Sequence, residues 1–292
     1  MDRFWGNYAP NRRIISYLRS PGEPGLALLG GLTAYLGWSL LRQAFLAALP
    51  PETGWGEMAI GFLLNAGFFG VLTALTALLA RRLHGIDPRR FLGDGRRFFS
   101  DFWRVLAAVT AAYLAFILLM GDFTGAEMRP LGPWLAFLPL AFFAIGIQTL
   151  GEEFFFRGYL HHMACAHFTR VAVWMVAPSA VFAASHVFND TSSVFASLTY
   201  MTWVLAFGLA CVDLTARTGS LGAAWGLHLA YNMFAICLFA EEGGFMSAGA
   251  LFVYAPWPGG GVPDPVILLF WTLQHLIFLL VLWLAARHAL KR

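Results

Sequence analysis

Eight apolar stretches in succession limit this chain more than any other feature, because each is close to the length that a helix needs to cross a bilayer. They run over about residues 26–49, 57–82, 102–121, 134–161, 171–189, 194–212, 219–240 and 265–288. A helix covers the hydrocarbon layer with about 20 apolar residues. With short connections between the stretches, the pattern predicts an all-α, polytopic membrane helical bundle of about eight transmembrane helices. Composition agrees: 59% of the residues are hydrophobic and 12% charged, against about 25% charged in ordinary soluble domains.

The connections give this bundle a direction. Arg and Lys collect on the cytoplasmic side of membrane proteins. Here one set of connections holds Arg3, Arg12, Arg13 and Arg19, then Arg81, Arg82, Arg89, Arg90, Arg96 and Arg97, then Arg287, Lys291 and Arg292. The other set holds mainly Glu52, Glu57, Asp122, Glu127, Asp190, Glu241, Glu242 and Asp264, with Arg129 as its one basic residue. The alternation predicts both termini on the cytoplasmic side, and the expected location is a bacterial inner membrane.

Residues 1–25 are expected to form a cytoplasmic interfacial segment, since they mix arginines with Phe4, Trp5, Tyr8, Ile14 and Tyr17; a frayed basic tail is the alternative. They lack the order of a cleaved signal, so the apolar run from Leu26 reads as a retained span. Residues 26–292 then form a single eight-helix domain. The Gly- and Pro-rich connection 241–264, with Tyr254 and Trp257, reads as an irregular link, or else as a lid over the outer face. Cys165, Cys211 and Cys237 show no metal-binding spacing and are expected to be buried free thiols.

Inside this apolar frame stand groups that need a reason. Residues 150–159 read Leu-Gly-Glu-Glu-Phe-Phe-Phe-Arg-Gly-Tyr, and an ionisable side chain costs roughly 2.5–3.5 kcal/mol at the centre of a membrane helix. On a helix Glu153 and Arg157 are four apart and share a face, whereas Glu152 points about 100° away. The pair is expected to neutralise itself and leave Glu152 free to act; a buried cluster that only fixes helix packing is the other reading. Ser185 and His186 close the fifth stretch, and His228 and Asn232 lie four apart in the seventh. A carboxylate sheltered from solvent can take a proton from water, a histidine can hold that water or protonate a leaving amine, and a His–Asn pair on one face can meet an oxyanion. His161, His162 and His167 are read as interfacial histidines.

The ordered set Glu152-Glu153-x-x-x-Arg157, Phe182-x-x-x-His186 and His228-x-x-x-Asn232 resembles the three motifs of the CAAX protease and bacteriocin-processing family, which contains the Ras-converting prenyl endopeptidase. The motif core covers roughly residues 134–240. The resemblance implies an eight-helix intramembrane endopeptidase in which Glu152 and His186 activate water, His228 and Asn232 form the oxyanion site, and Glu153 and Arg157 support them. It also favours a metal-independent glutamate mechanism with no cofactor. Zinc held by Glu152, His186 and His228 is the alternative, since one Glu and two His form a known catalytic set. The expected partners are membrane lipids and a peptide or protein substrate, possibly lipidated, and not nucleic acid. A noncatalytic scaffold or immunity protein of the same fold is the competing function, and a transporter or proton pathway a third.

Overall fold

The protein is seen in a computed structural model that describes residues 8–11, 24–47, 55–121, 123–187, 193–242, 247–255 and 264–291. Each of the eight apolar stretches contains a helix. The first three are α1 (Pro24–Ala47), α2 (Trp55–His84) and α3 (Gly95–Met120). Helix α4 (Leu131–Glu153) continues through a π-helical turn, Phe154–Leu160, into α5 (His161–His167). A second π-helical turn, Ala172–Val176, leads into α6 (Ala177–Ala184). Then follow α7 (Val194–Thr218), α8 (Gly222–Cys237) and α9 (Pro265–Leu290). The chain is an all-α helical membrane bundle.

Among the described residues five helical segments are long and apolar enough to cross a membrane: Met58–His84, Gly95–Met120, Leu131–His167, Val194–Thr218 and Pro265–Leu290. Apolar side chains such as Leu40, Leu118, Phe143 and Ile277 face outward, as lipid in place of water allows.

The fifth stretch departs from expectation. Its helical part, Ala172–Ala184, is short, and at 1.5 Å per residue it covers only about 20 Å. Pro178 explains the irregular start, since it brings no N–H to the helix and its ring displaces the carbonyl one turn back. The boundaries elsewhere shift where polar residues extend a helix beyond the hydrocarbon. Asp94 caps α3 by accepting from the Arg97 N–H, so α3 starts before its apolar stretch. Helix α7 runs on to Thr218 and stops where Gly219 turns left-handed at φ 66°.

One end of the bundle gathers the basic residues: Arg81 and Arg82 close α2, Arg96 and Arg97 open α3, and Arg287 stands in the last turn of α9. Here the connections are tied together. Gly93 bridges Ser220, and Leu221 donates to the Leu92 carbonyl at 3.2 Å. Asp213 accepts from the Tyr8 hydroxyl at 2.9 Å, from Arg217 at 2.7 Å and from the Trp283 indole at 3.0 Å. Burial and the Asp213 charge raise the Tyr8 phenol above its ordinary pKa, so it stays a donor. His161 and His162, expected at the interface, are fully buried: Nδ1 of His161 donates to the Trp174 carbonyl at 3.0 Å and that of His162 to Gly158 at 2.7 Å. His167 is exposed. Of the expected interfacial segment only residues 8–11 and 24–25 are described; Arg3, Arg12, Arg13 and Arg19 lie outside.

At the opposite end the structure corrects the reading of 241–264 as an irregular link. Strand β1 (Ala126–Met128) pairs antiparallel with β3 (Phe252–Tyr254), and β3 pairs parallel with β2 (Phe239–Glu241), counting strands in chain order. The Arg129 guanidinium donates to the Ser247 carbonyl at 3.1 Å and locks the cap. Tyr254 is in the sheet, and Trp257 lies outside the described residues. The cysteines are buried and free, as read from the sequence.

Helices α3 and α8 approach closely: a Cβ at Gly222 would overlap the Phe98 carbonyl oxygen and one at Gly226 would sit 2.6 Å from that of Phe102. Trp225 fills the seam by stacking on Phe102, with ring centroids 4.0 Å apart. That contact fixes the helix carrying His228 and Asn232.

Candidate active site

The two acidic neighbours at the end of α4 separate as their helical spacing demands. Glu153 is fully buried, and its Oε1 receives Arg157 Nη1 at 2.9 Å and His228 Nδ1 at 2.7 Å. Arg157 also donates to the Gly208 carbonyl at 3.4 Å and lies 4.3 Å over the Phe182 ring. One arginine thus joins α4, α6, α7 and α8. It stands in the π-helical turn, a local widening that recurs where function requires a side chain to be re-aimed.

Glu152 turns the other way, into a cavity of about 720 Å³. It is 5% exposed, and its Oε2 accepts no hydrogen bond from the described residues. Nε2 of His228 stands 3.7 Å from that oxygen, too far for a hydrogen bond but within ion-pair range. Because Nδ1 of His228 is committed to Glu153, the nitrogen that faces Glu152 is fixed.

His186 lies in the turn that follows α6. Its Nδ1 donates to the Phe182 carbonyl at 2.8 Å and the Ser185 hydroxyl lies 3.0 Å away, so the proton is assigned to Nδ1 and Nε2 is left as acceptor. The short α6 still carries His186 to the cavity that Glu152 lines. Glu152, His186, His228 and Asn232 all line the same cavity. The structure brings together every residue named from the motifs, with Glu153 and Arg157 behind them.

Among the described residues no three His, Cys, Asp or Glu side chains are gathered so as to hold a metal ion, the Glu152, His186 and His228 set included.

Sequence reasoning missed part of the cavity wall. Arg42, Ser39 and Gln43 reach it from α1, Gln148 from α4 and Tyr231 from α8. Arg42 donates through Nε to Asn65 Oδ1 at 3.0 Å, and Asn65 Nδ2 donates to Gln148 Oε1 at 2.8 Å. The signal was available: an arginine in the middle of an apolar stretch carries the same cost as the one at 157.

These features define a class, an integral membrane helical bundle with a carboxylate and two imidazoles on one internal cavity. Residues 132–234 match the family described as type II CAAX prenyl endopeptidase Rce1-like. The matched segment contains all three motifs, so over these residues the chain is similar to the CAAX prenyl endopeptidase family that the motifs resemble. The chain is also similar to the uncharacterized protein YyaK of Bacillus subtilis, at 27% identity over 177 residues, 59% of this chain and 57% of that protein. It thus spans a little over half the length of the curated relative that it matches. No solved structure matches it.

Proposed function

We propose that the chain is an intramembrane endopeptidase that hydrolyses a peptide bond in a membrane-associated peptide or protein tail. The observation that carries this reading is the convergence of Glu152, His186, His228 and Asn232 on one cavity, with a Glu152 oxygen that no described residue binds. Glu152 takes a proton from water while the oxygen forms its bond to the scissile carbonyl carbon. His186 Nε2 accepts from the same water and keeps it aligned. Asn232 and His228 donate to the oxyanion; since His228 Nδ1–H is held by Glu153, His228 donates there only when protonated on both nitrogens. The C–N bond then breaks, and the amine leaves with the proton that Glu152 took. Glu153 and Arg157 hold His228 and the helices in register.

We assign no metal a step in this sequence. A chelator should leave cleavage intact, and restoration of lost activity by zinc would reverse this assignment. The basic residues at one end of the bundle support a topology with both termini in the cytoplasm, and we infer a bacterial inner membrane as the location. Substrate peptide and membrane lipids are the expected partners.

A noncatalytic scaffold or immunity protein is favoured by one observation, the fully engaged Arg157, which ties helices whether or not Glu152 reacts. Purified protein separates the two readings. Mass spectrometry of membrane peptides should reveal cuts made by the native chain and not by Glu152→Gln, with both equally folded in detergent. Undiminished cleavage by Glu152→Gln would remove the endopeptidase reading.

A further inference from the structure

We propose that the groove between α7 and α9, at the basic end of the bundle, binds one anionic phospholipid, with an acyl chain in the groove and the headgroup phosphate on Arg287. The groove has a volume of about 300 Å³ and shares no lining residue with the Glu152 cavity, so the proposal stands apart from the hydrolytic reading. Arg287 and the rest of α9 also lie outside the matched segment 132–234.

The walls suit hydrocarbon. Both helices are long and apolar enough to cross a membrane. Ala206 and Leu209 line the groove from α7, and Leu276, Leu279 and Leu280 line it from α9. Leu279 is buried and Leu280 is half exposed, so the groove has a closed floor and opens on the lipid-facing side. From Leu276 to Trp283 it follows α9 for about 10 Å. One leaflet of a bilayer with a hydrocarbon core of about 30 Å is about 15 Å deep, so the groove takes the headgroup-proximal part of one chain.

The polar end of the groove selects the headgroup. Asp213 and Trp283 line it there. Arg217 balances Asp213, since its Nε donates to both carboxylate oxygens at 2.7 and 2.9 Å, and the Trp283 indole donates to the same carboxylate at 3.0 Å. That last bond fixes the indole, and the Arg287 guanidinium lies 4.7 Å over its ring. Arg287 makes no hydrogen bond or ion pair with another of the described residues. A guanidinium stacked on a ring keeps its N–H donors in its own plane, where their fork matches the oxygens of a phosphate. One positive charge is thus left over at the level where Trp side chains meet headgroups. Basic pockets between membrane helices hold anionic headgroups on the cytoplasmic side. A zwitterionic lipid would bring a second cation to this place, and a free anion would leave the apolar groove unused.

The test uses the full chain, stripped of lipid in a non-ionic detergent and titrated with dioleoylphosphatidylglycerol or dioleoylphosphatidylcholine, with bound lipid counted by native mass spectrometry. The native chain should hold one phosphatidylglycerol about fivefold more tightly than phosphatidylcholine, as one basic residue at headgroup level supplies. Arg287→Gln should bring that ratio to near one. Arg82→Gln, which removes an exposed arginine from the end of α2, away from the groove, should leave it unchanged. Ala206→Phe narrows the groove, keeps Arg287 and should lower the binding of both lipids. Glycerol phosphate, the headgroup without chains, should not displace the bound lipid at equal concentration.

A native chain with no preference overturns the site. Equal losses in Arg287→Gln and Arg82→Gln also overturn it, because a diffuse basic surface then does the binding, and so does displacement by glycerol phosphate. Should Arg287→Gln fail to fold, Ala206→Phe decides: lowered binding supports the site, and an unchanged lipid count overturns it.

Discussion

Glu153–Arg157 and Asp213–Arg217 are the same device, an acid and an arginine four residues apart on one helical rod, closing at 2.9 and 2.7 Å. Around Asp213 both oxygens are occupied: Tyr8 and Arg217 share one, Arg217 and Trp283 the other. Around Glu153 a single oxygen takes both Arg157 and His228, and the adjacent Glu152 presents an oxygen with no donor among the described residues. A carboxylate with every lone pair engaged can only tie elements together. Glu153 also keeps one oxygen, Oε2, without a hydrogen-bond partner among the described residues, but it is fully buried behind the cavity that Glu152 lines, so access to the cavity, and not charge alone, separates the tie from the reactive site.

The contrast can be broken in order of expected effect. Glu152→Gln should lower cleavage by about a hundredfold to ten-thousandfold, the usual range for losing a general base, with little change in thermal midpoint by intrinsic fluorescence. If it unfolds the protein with no loss of specific activity, the two acids are the same kind of tie. Next, Arg157→Met leaves Glu153 as a buried charge without its cation and should cost about 3–5 kcal/mol of stability in denaturant titration. Asp213→Asn should cost less, about 1–3 kcal/mol, and spare the cleavage rate of the folded fraction. A large fall in that rate would join the Asp213 knot to the active site. The helix seam offers a comparison without charge: Gly226→Ala forces α8 away from the Phe102 carbonyl and should destabilise by about 1–3 kcal/mol. The smallest effect belongs to Tyr8→Phe, about 1 kcal/mol, since Arg217 and Trp283 still engage Asp213.

The motif cluster was legible because its spacing is local. Glu153 and Arg157 meet as residues four apart on a helix must, and the same rule sends Glu152 elsewhere. Arg42 was legible as an anomaly but not as a cavity residue, because its partner Asn65 lies 23 positions away and Gln148, the partner of Asn65, 83 positions further on. The outer sheet was hidden for a similar reason. Three strands of three residues each carry too little periodicity to read, and they exist through pairing across distant connections. His161 and His162 looked interfacial because they follow a long apolar run, whereas the rod continues to His167 and Trp174 covers His161.

By itself the sequence determined that this chain is a membrane bundle of helices and which side chains on each rod face the same way, since apolar length and a 3.6-residue repeat act within a single segment. Only the tertiary structure decided that the fifth segment stops short, that His228 hands Nδ1 to Glu153 and turns Nε2 toward Glu152, and that Arg42 stands on the same cavity wall. Those outcomes depend on how separate helices pack and on which hydrogen bonds form between them, and neither is set by spacing within one helix.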